Sequence, residues 1–373
     1  MGVAVADLQP RPNLSRIKPY QPGRPIEVVA RELGIKDEII KLASNENPLG
    51  ISPLARKALA ENIREGNFYP DDSGYLLKEK LAQRYGVDPE MVILGNGSVD
   101  LIYLSAFAYL DPGDQLIMTR GSFIIAKIAT HIMNGELIEI PPTKEMRHDL
   151  KGILNAITDR TKVIYLDNPI NPFGTIVGRE EFDRFVDHLP PHVLLISDEA
   201  YYEYSTDKNY IDSMKHLMAG KNILILHTFS KIYGLAGLRI GYGIARKEII
   251  TALMKVRLPF NASRMAQIAA YHALDDEEHV RKSVKVNEAG KEYLYREYDR
   301  LGLFYLPTNA NFIFVDFKID AQPIFEKLQR RGVITRPIPQ YGFPTALRIT
   351  IGDEHQNRKL ISALEEILGG ASQ

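Results

Sequence analysis

Seven short apolar runs, at residues 91–94, 115–119, 136–140, 163–166, 193–197, 223–228 and 239–244, alternate with stretches of helical periodicity. Strands that take turns with helices pair in parallel, and a sheet built that way is covered by helices on both faces. The alternation therefore predicts an α/β fold with a mostly parallel sheet flanked by helices. Ahead of it, Ser52 and Pro53 suit the N-cap and first turn of one helix, and Leu77, Leu81 and Tyr85 share one face of the next.

Different textures flank this region. Residues up to about 41 are rich in proline and charge (Pro10, Pro12, Pro19, Pro22 and Pro25), which predicts an extended arm with one short helix near residues 26–33. Beyond Pro259 come helical stretches at 262–274 and 277–301, apolar strands at 311–316 and 346–351, and a closing helix with Leu360, Leu364, Ile367 and Leu368 in register. The expected organisation is an N-terminal arm over 1–48 that packs on the small domain and the active site, a large domain over 49–260, and a smaller α+β domain over 261–373.

Composition narrows the function. The 373 residues carry 46 basic and 47 acidic side chains, so no general field draws nucleic acid or an anionic membrane, and a bound anion must be held by local contacts. The absence of cysteine excludes thiol catalysis, disulfides and thiolate metal sites, and suits a reducing compartment. Residues 1–13 show neither a secretion nor a transit pattern, and no apolar stretch is long enough to span a bilayer, so the expected address is cytoplasmic. His188 and His192 are separated by Pro190 and Pro191, which rules out a helical metal-binding pair, and no metal is expected.

The most informative segment is Thr228-Phe-Ser-Lys-Ile-Tyr-Gly-Leu-Ala-Gly-Leu-Arg239. A lysine at a buried strand end loses hydration and, beside other cations, keeps a neutral, nucleophilic amine suited to Schiff-base formation, so Lys231 is the catalytic candidate. The hydroxyls of Thr228 and Ser230 and the guanidinium of Arg239 can hold a phosphate from two sides. Taken alone, a Ser-Lys pair is only a solvated turn, so the reading rests on its neighbours.

Asp198 directly follows an apolar run and falls at the carboxyl end of a parallel strand, where ligands of such sheets gather. It could pair with the ring nitrogen of pyridoxal phosphate, keeping the ring able to accept electrons, or it could ligate Mg²⁺ beside a nucleotide. The second reading lacks its phosphate-binding Gly-x-x-x-x-Gly-Lys loop. Tyr201 could donate to the ring's 3-oxygen, and Asn171, in Asp167-Asn-Pro-Ile-Asn-Pro-Phe-Gly174, can face the same sheet edge. The turn Gly95-Asn-Gly-Ser-Val-Asp100 offers backbone N–H groups to an anion or is simply tight, and Phe123 either stacks on the ring or packs in the core.

Taken in chain order, Asn171, Asp198 with Tyr201, and Thr228, Ser230, Lys231 and Arg239 resemble the signature of fold-type I pyridoxal-phosphate aminotransferases of class I/II, whose fold is aspartate-aminotransferase-like. Within that superfamily, Lys18-Pro-Tyr-Gln-Pro-Gly23, Leu42-Ala-Ser-Asn-Glu-Asn-Pro48, Tyr69-Pro-Asp71, Asp198-Glu-Ala-Tyr-Tyr-Glu-Tyr204 and Leu347-Arg-Ile-Thr-Ile-Gly352 are similar to the histidinol-phosphate aminotransferases. The resemblance implies that Lys231 carries the Schiff base and shuttles the proton, that Asp198 meets the ring nitrogen, that Tyr201 and Asn171 meet the 3-oxygen, and that Phe123 stacks on the ring. It implies that Ser98, Val99, Thr228, Ser230 and Arg239 hold the cofactor phosphate, with Tyr69 reaching the same phosphate in the partner subunit of a homodimer. For the substrate it implies that Arg336 and Arg348 bind an anionic group while Tyr20 closes over the pocket.

The implied reaction is amino transfer from L-histidinol phosphate to 2-oxoglutarate, giving imidazole acetol phosphate and L-glutamate, a step of histidine biosynthesis. An aromatic amino acid aminotransferase is the nearest alternative, and a decarboxylase or oxidase on the same scaffold is another. The chain departs from the family pattern at Ile170 and Phe173, where Asn and Thr are usual, at Ala126, where many members carry Tyr, and at Val99, where an acidic residue is common. These departures leave the identity of the amine donor open.

Overall fold

The computed structural model describes residues 8–369; residues 1–7, at the head of the expected arm, and 370–373, at the end of the expected small domain, lie outside the described residues. The strands are β1 (Ile40–Lys41), β2 (Val92–Gly95), β3 (Gln115–Thr119), β4 (Glu136–Ile140), β5 (Thr161–Asp167), β6 (Leu194–Asp198), β7 (Ile223–Thr228) and β8 (Gly241–Ile244), followed by β9 (Phe304–Leu306), β10 (Phe312–Asp316), β11 (Val333–Ile334), β12 (Arg336–Ile338) and β13 (Phe343–Thr350). All seven apolar runs form strands, and they make one seven-stranded sheet in the order β2-β8-β7-β6-β5-β3-β4. Every pair in it is parallel except those made by β8, which runs antiparallel to both β2 and β7. That strand starts later than the sequence suggests, because Arg239 takes a left-handed backbone (φ 56°) and makes the corner instead of pairing.

Side chains of successive strand residues point to opposite faces, and here both faces are covered. Ile164 and Leu166 of β5 and Ile223 and Ile225 of β7 enter one apolar cluster, whereas Val163, Tyr165, Leu224 and Leu226 enter another. The first is closed by the helices Pro53–Asn62, Tyr75–Tyr85, Arg179–Asp187 and Arg264–Ala273, and the second by Ser98–Tyr109, Ile125–Ile132 and Lys247–Val256. Phe123 lies just ahead of the helix Ile125–Ile132.

The second sheet has four strands in the order β12-β13-β10-β9, all antiparallel, backed by the helices Glu277–Arg300, Gln322–Arg330 and Glu354–Gly369. β1 pairs in parallel with β11, and the Leu42 carbonyl accepts from Thr350 N at 2.9 Å, so the chain entering from the arm is stitched beside this smaller sheet. No helix among the described residues is long and apolar enough to cross a membrane.

Three of the departures from the family pattern are packing residues. Ile170, Phe173 and Ala126 are fully buried, and none lines the cavity described below. Phe173 meets Phe314 and Phe343 edge-on, with ring centroids 5.8 and 5.2 Å away, so the loop after β5 is keyed into β10 and β13. Phe173→Ala should therefore cost roughly 3–5 kcal/mol of stability, seen as a lowered thermal midpoint in calorimetry. An unchanged midpoint would show that this aromatic contact holds nothing.

Candidate active site

Because β3, β5, β6 and β7 run parallel, the residues that follow them emerge at one edge of the sheet. Asp167 sits opposite Asp198 across β5 and β6, and Thr228 opposite Gly241 across β7 and β8. Gly95 at the end of β2 also pairs with Gly241, which brings the start of the helix Ser98–Tyr109 to the same place. Every expected site residue except Tyr69 lines a single cavity there: Tyr20, Ser98, Val99, Phe123, Asn171, Asp198, Tyr201, Thr228, Ser230, Lys231, Arg239, Arg336 and Arg348.

Lys231 directly follows the Phe229-Ser230 corner after β7, and its Nζ donates to the carbonyl of Ser44 at 3.0 Å. Burial pushes its pKa down to about 8; Arg348 and Arg239 add to the fall and Glu46 opposes it. Near neutral pH a useful fraction of this amine is unprotonated, as a nucleophile requires.

Asp198 is buried, accepts from Tyr165 Oη at 2.8 Å and Ala200 N at 3.2 Å, and is pushed up to about 7 chiefly by burial. A cation arriving beside it would restore its charge. Asp167, also raised by burial, binds the Ser122 hydroxyl and accepts from Phe123 N at 3.2 Å and Asn171 N at 2.9 Å. One carboxyl group thereby sets both the aromatic wall and the Asn171 loop. Behind it, burial keeps His148 neutral; its Nε2 donates to the Asp167 carbonyl at 2.9 Å and its Nδ1 accepts from Thr119 Oγ1 at 2.6 Å.

At one end of the cavity the helix Ser98–Tyr109 opens after Gly97, whose φ of 78° suits glycine. A Cβ there would lie 2.5 Å from Arg239 Nη2, so the missing side chain is what lets the guanidinium sit over the helix start. Arg239 Nη1 also donates to Ser230 Oγ at 3.2 Å, and Ser230 N donates to Thr228 Oγ1 at 3.1 Å. Helix-terminal N–H groups, hydroxyls and a guanidinium converging in this way form an anion cradle.

Toward the smaller sheet, Arg336 and Arg348 are direct partners across β12 and β13. Arg348 donates to Asn171 Oδ1 at 2.7 Å and to the Ala43 carbonyl at 2.6 Å, while its buried Nε has no partner. Arg336 donates to the Gln21 carbonyl, and its Cζ lies 5.6 Å from the centre of the Tyr20 ring. Burial, with Arg348 alongside, lowers the Arg336 pKa. Adjacent buried guanidiniums that hydrogen-bond only neutral groups suit an incoming phosphate or carboxylate.

Tyr69 lies elsewhere on its own chain: it is 78% exposed and stacks on Phe260 with ring centroids 4.7 Å apart. The cavity also holds groups that sequence reasoning passed over, namely Ser44, Asn45, Glu46, Tyr165 and Asp167. Tyr165 carried one usable signal, a phenol inside an otherwise apolar strand. Asn45 and Glu46 sat within a quoted family segment but had no role until the arm was placed against β7.

Comparison with known proteins gives the family and the fold. The family model for aminotransferase class I and II aligns with residues 37–364. The histidinol-phosphate aminotransferase of Moorella thermoacetica is 50% identical over 353 residues, covering 94% of this chain and 91% of that protein. Histidinol-phosphate aminotransferase 2 of Pseudomonas fluorescens is 44% identical over 97% of this chain and 98% of its own length. Among solved structures, histidinol-phosphate aminotransferase from Sinorhizobium meliloti in complex with pyridoxal 5′-phosphate superposes with a TM-score of 0.90 at 26% identity, covering 98% of this chain and 99% of that chain. Aspartate aminotransferase from Thermus thermophilus shares the fold, with a TM-score of 0.83 at 20% identity, covering 97% of this chain and 100% of that chain. The chain belongs to the class I and II aminotransferases, with the fold-type I architecture of that family.

Proposed function

We infer that this enzyme is a pyridoxal-phosphate-dependent transaminase of histidine biosynthesis that transfers the amino group of L-histidinol phosphate to 2-oxoglutarate. The observation that carries the reading is one cavity with a depressed lysine, a buried carboxyl group, an anion cradle at one end and paired arginines at the other. The unpartnered Arg348 Nε and the Gly97 opening under Arg239 suit a ligand that is anionic at both extremes.

Bound there, pyridoxal phosphate would supply an electron sink for the carbon that loses its proton. Ser98, Val99, Thr228, Ser230 and Arg239 would hold its phosphate, Phe123 its ring face, Tyr201 and Asn171 its 3-oxygen, and Asp198 its ring nitrogen. Lys231 Nζ would bind the aldehyde carbon and, when free, would take the donor's α-proton and hand it back. Tyr165 holds Asp198 in place from behind. Arg336 and Arg348 hold the donor's phosphate and then the acceptor's carboxylate, and Tyr20 shields the pocket mouth from water.

We further propose a homodimer in which Tyr69 reaches the phosphate of the neighbouring subunit, at a cytoplasmic address. Supporting it, Asp72 ties the segment carrying the exposed Phe68 and Tyr69 to the one carrying the exposed Leu258 and Phe260, through Arg257 and Phe260 N, which leaves an apolar patch for a partner. Sedimentation equilibrium should give twice the 42.1 kDa of the chain, and a monomer at micromolar concentration rejects the dimer.

Borohydride reduction of the cofactor-loaded protein followed by peptide mapping should place the pyridoxyl label on Lys231. The same preparation should show a larger kcat/KM for L-histidinol phosphate than for L-phenylalanine. A label elsewhere sinks the cofactor assignment, whereas the reverse preference would make this an aromatic amino acid aminotransferase. A lysine pKa lowered to about 8 also sets a pH dependence, since only the unprotonated amine attacks. Cofactor incorporation into the apoprotein should accelerate as pH rises toward 8 and level off above it, as stopped-flow absorbance would show.

A further inference from the structure

Asn45 has no place in the scheme above, yet it is among the most constrained residues of the cavity. It is 1% exposed, and its backbone is left-handed (φ 59°), a conformation that asparagine tolerates better than most side chains. Asn45 N donates to Thr350 Oγ1 at 2.9 Å, the Thr350 hydroxyl donates back to Asn45 Oδ1 at 3.1 Å, and Asn311 Nδ2 donates to the Asn45 carbonyl at 3.0 Å. These contacts anchor the residue to the smaller sheet. Its one remaining strong group, Nδ2, donates to Tyr201 Oη at 2.9 Å.

A second amide, Asn171 Nδ2, lies 3.4 Å from the same phenol oxygen. A phenol has one hydrogen and two lone pairs. With amides on the oxygen's accepting side, the hydrogen has only the cavity to point into, and an oxygen that already accepts becomes a better donor. We propose that Asn45 is a positioning residue for Tyr201: its amide turns the Tyr201 O–H into the cavity and strengthens it as a donor to the anionic 3-oxygen of the cofactor ring. The proposal rests on the cofactor reading above, in which Tyr201 serves that oxygen. Arg348, Asp198, Asp167 and Lys231 also face Tyr201, and all stay unchanged in the test.

A donor to the 3-oxygen matters most when that oxygen's charge is not already balanced by a proton on the neighbouring nitrogen. Weakening the donor should therefore favour the protonated form and raise the apparent pKa of the visible band of bound pyridoxal phosphate. Asn45→Gly keeps the left-handed backbone accessible and deletes the amide. In the full protein loaded with pyridoxal phosphate, it should raise that pKa by roughly half a unit to one unit. In a Tyr201→Phe background the same change should move it by less than about 0.2 unit, since the phenol that relays the effect is gone.

Asn45→Ser, too short to reach Tyr201, should shift the band the same way and carries the test if the glycine variant does not fold. Equal shifts with and without the Tyr201 hydroxyl, or no shift in its presence, overturn the role of Asn45 while leaving the cofactor reading intact. If the unsubstituted protein develops no visible band with pyridoxal phosphate, both fall together.

Discussion

Asp167 on β5 faces Asp198 on β6, and this parallel alignment is what the rest of the site depends on. Parallel pairing forces strand ends of like polarity to one edge, and there the chain must turn and expose polar groups. Slipping β6 by one residue would rotate Asp198 toward the opposite face of the sheet and leave Tyr165 without its acceptor. The apolar clusters on both faces prevent such a slip, since it would send Leu195 and Ile196 to the wrong sides. Core packing and catalytic geometry are thus one constraint at this edge.

The same burial supplies the electrostatics. Asp198 and Asp167 are pushed up, and Lys231 down, mainly because charge is poorly solvated there. Arg239, Arg336 and Arg348 line the same cavity, and an anion bound beside them would offset their positive charge. A ligand with an anionic group at one end and a cationic group near Asp198 would match the field that the fold creates. Asn45, held by Thr350 and Asn311, donates to Tyr201, so a hydrogen bond links the smaller sheet to the cavity.

The departures from the family pattern illustrate how far motif reading extends. In sequence, Phe173 and Ile170 flank Asn171 so closely that both looked able to alter specificity. In the structure the Asn171 side chain enters the cavity while its neighbours enter an apolar cluster with Phe314 and Ile338. Sequence proximity carried no information about which way each side chain faced. Asp167 shows the converse: in sequence it only opened the segment that carries Asn171, yet its buried oxygens anchor Ser122, Phe123 N and Asn171 N at once.

Periodicity and local chemistry were enough to establish the strands of the large sheet, the helices between them and the order Asn171, Asp198, Tyr201, Lys231, Arg239, because these depend on neighbours close in the chain. Short strands such as β1, β9, β11 and β12 were invisible, since a few residues carry no periodic signal and pair only with distant partners. Tertiary structure alone decided that β8 runs antiparallel and that Arg336 lies beside Arg348. It also decided that Ser44, Asn45 and Glu46 from the arm close on Lys231 and Tyr201. The reason is physical: helix and strand preferences act over a few residues, whereas burial, register and the resulting pKa shifts arise only when segments far apart in sequence exclude the same water.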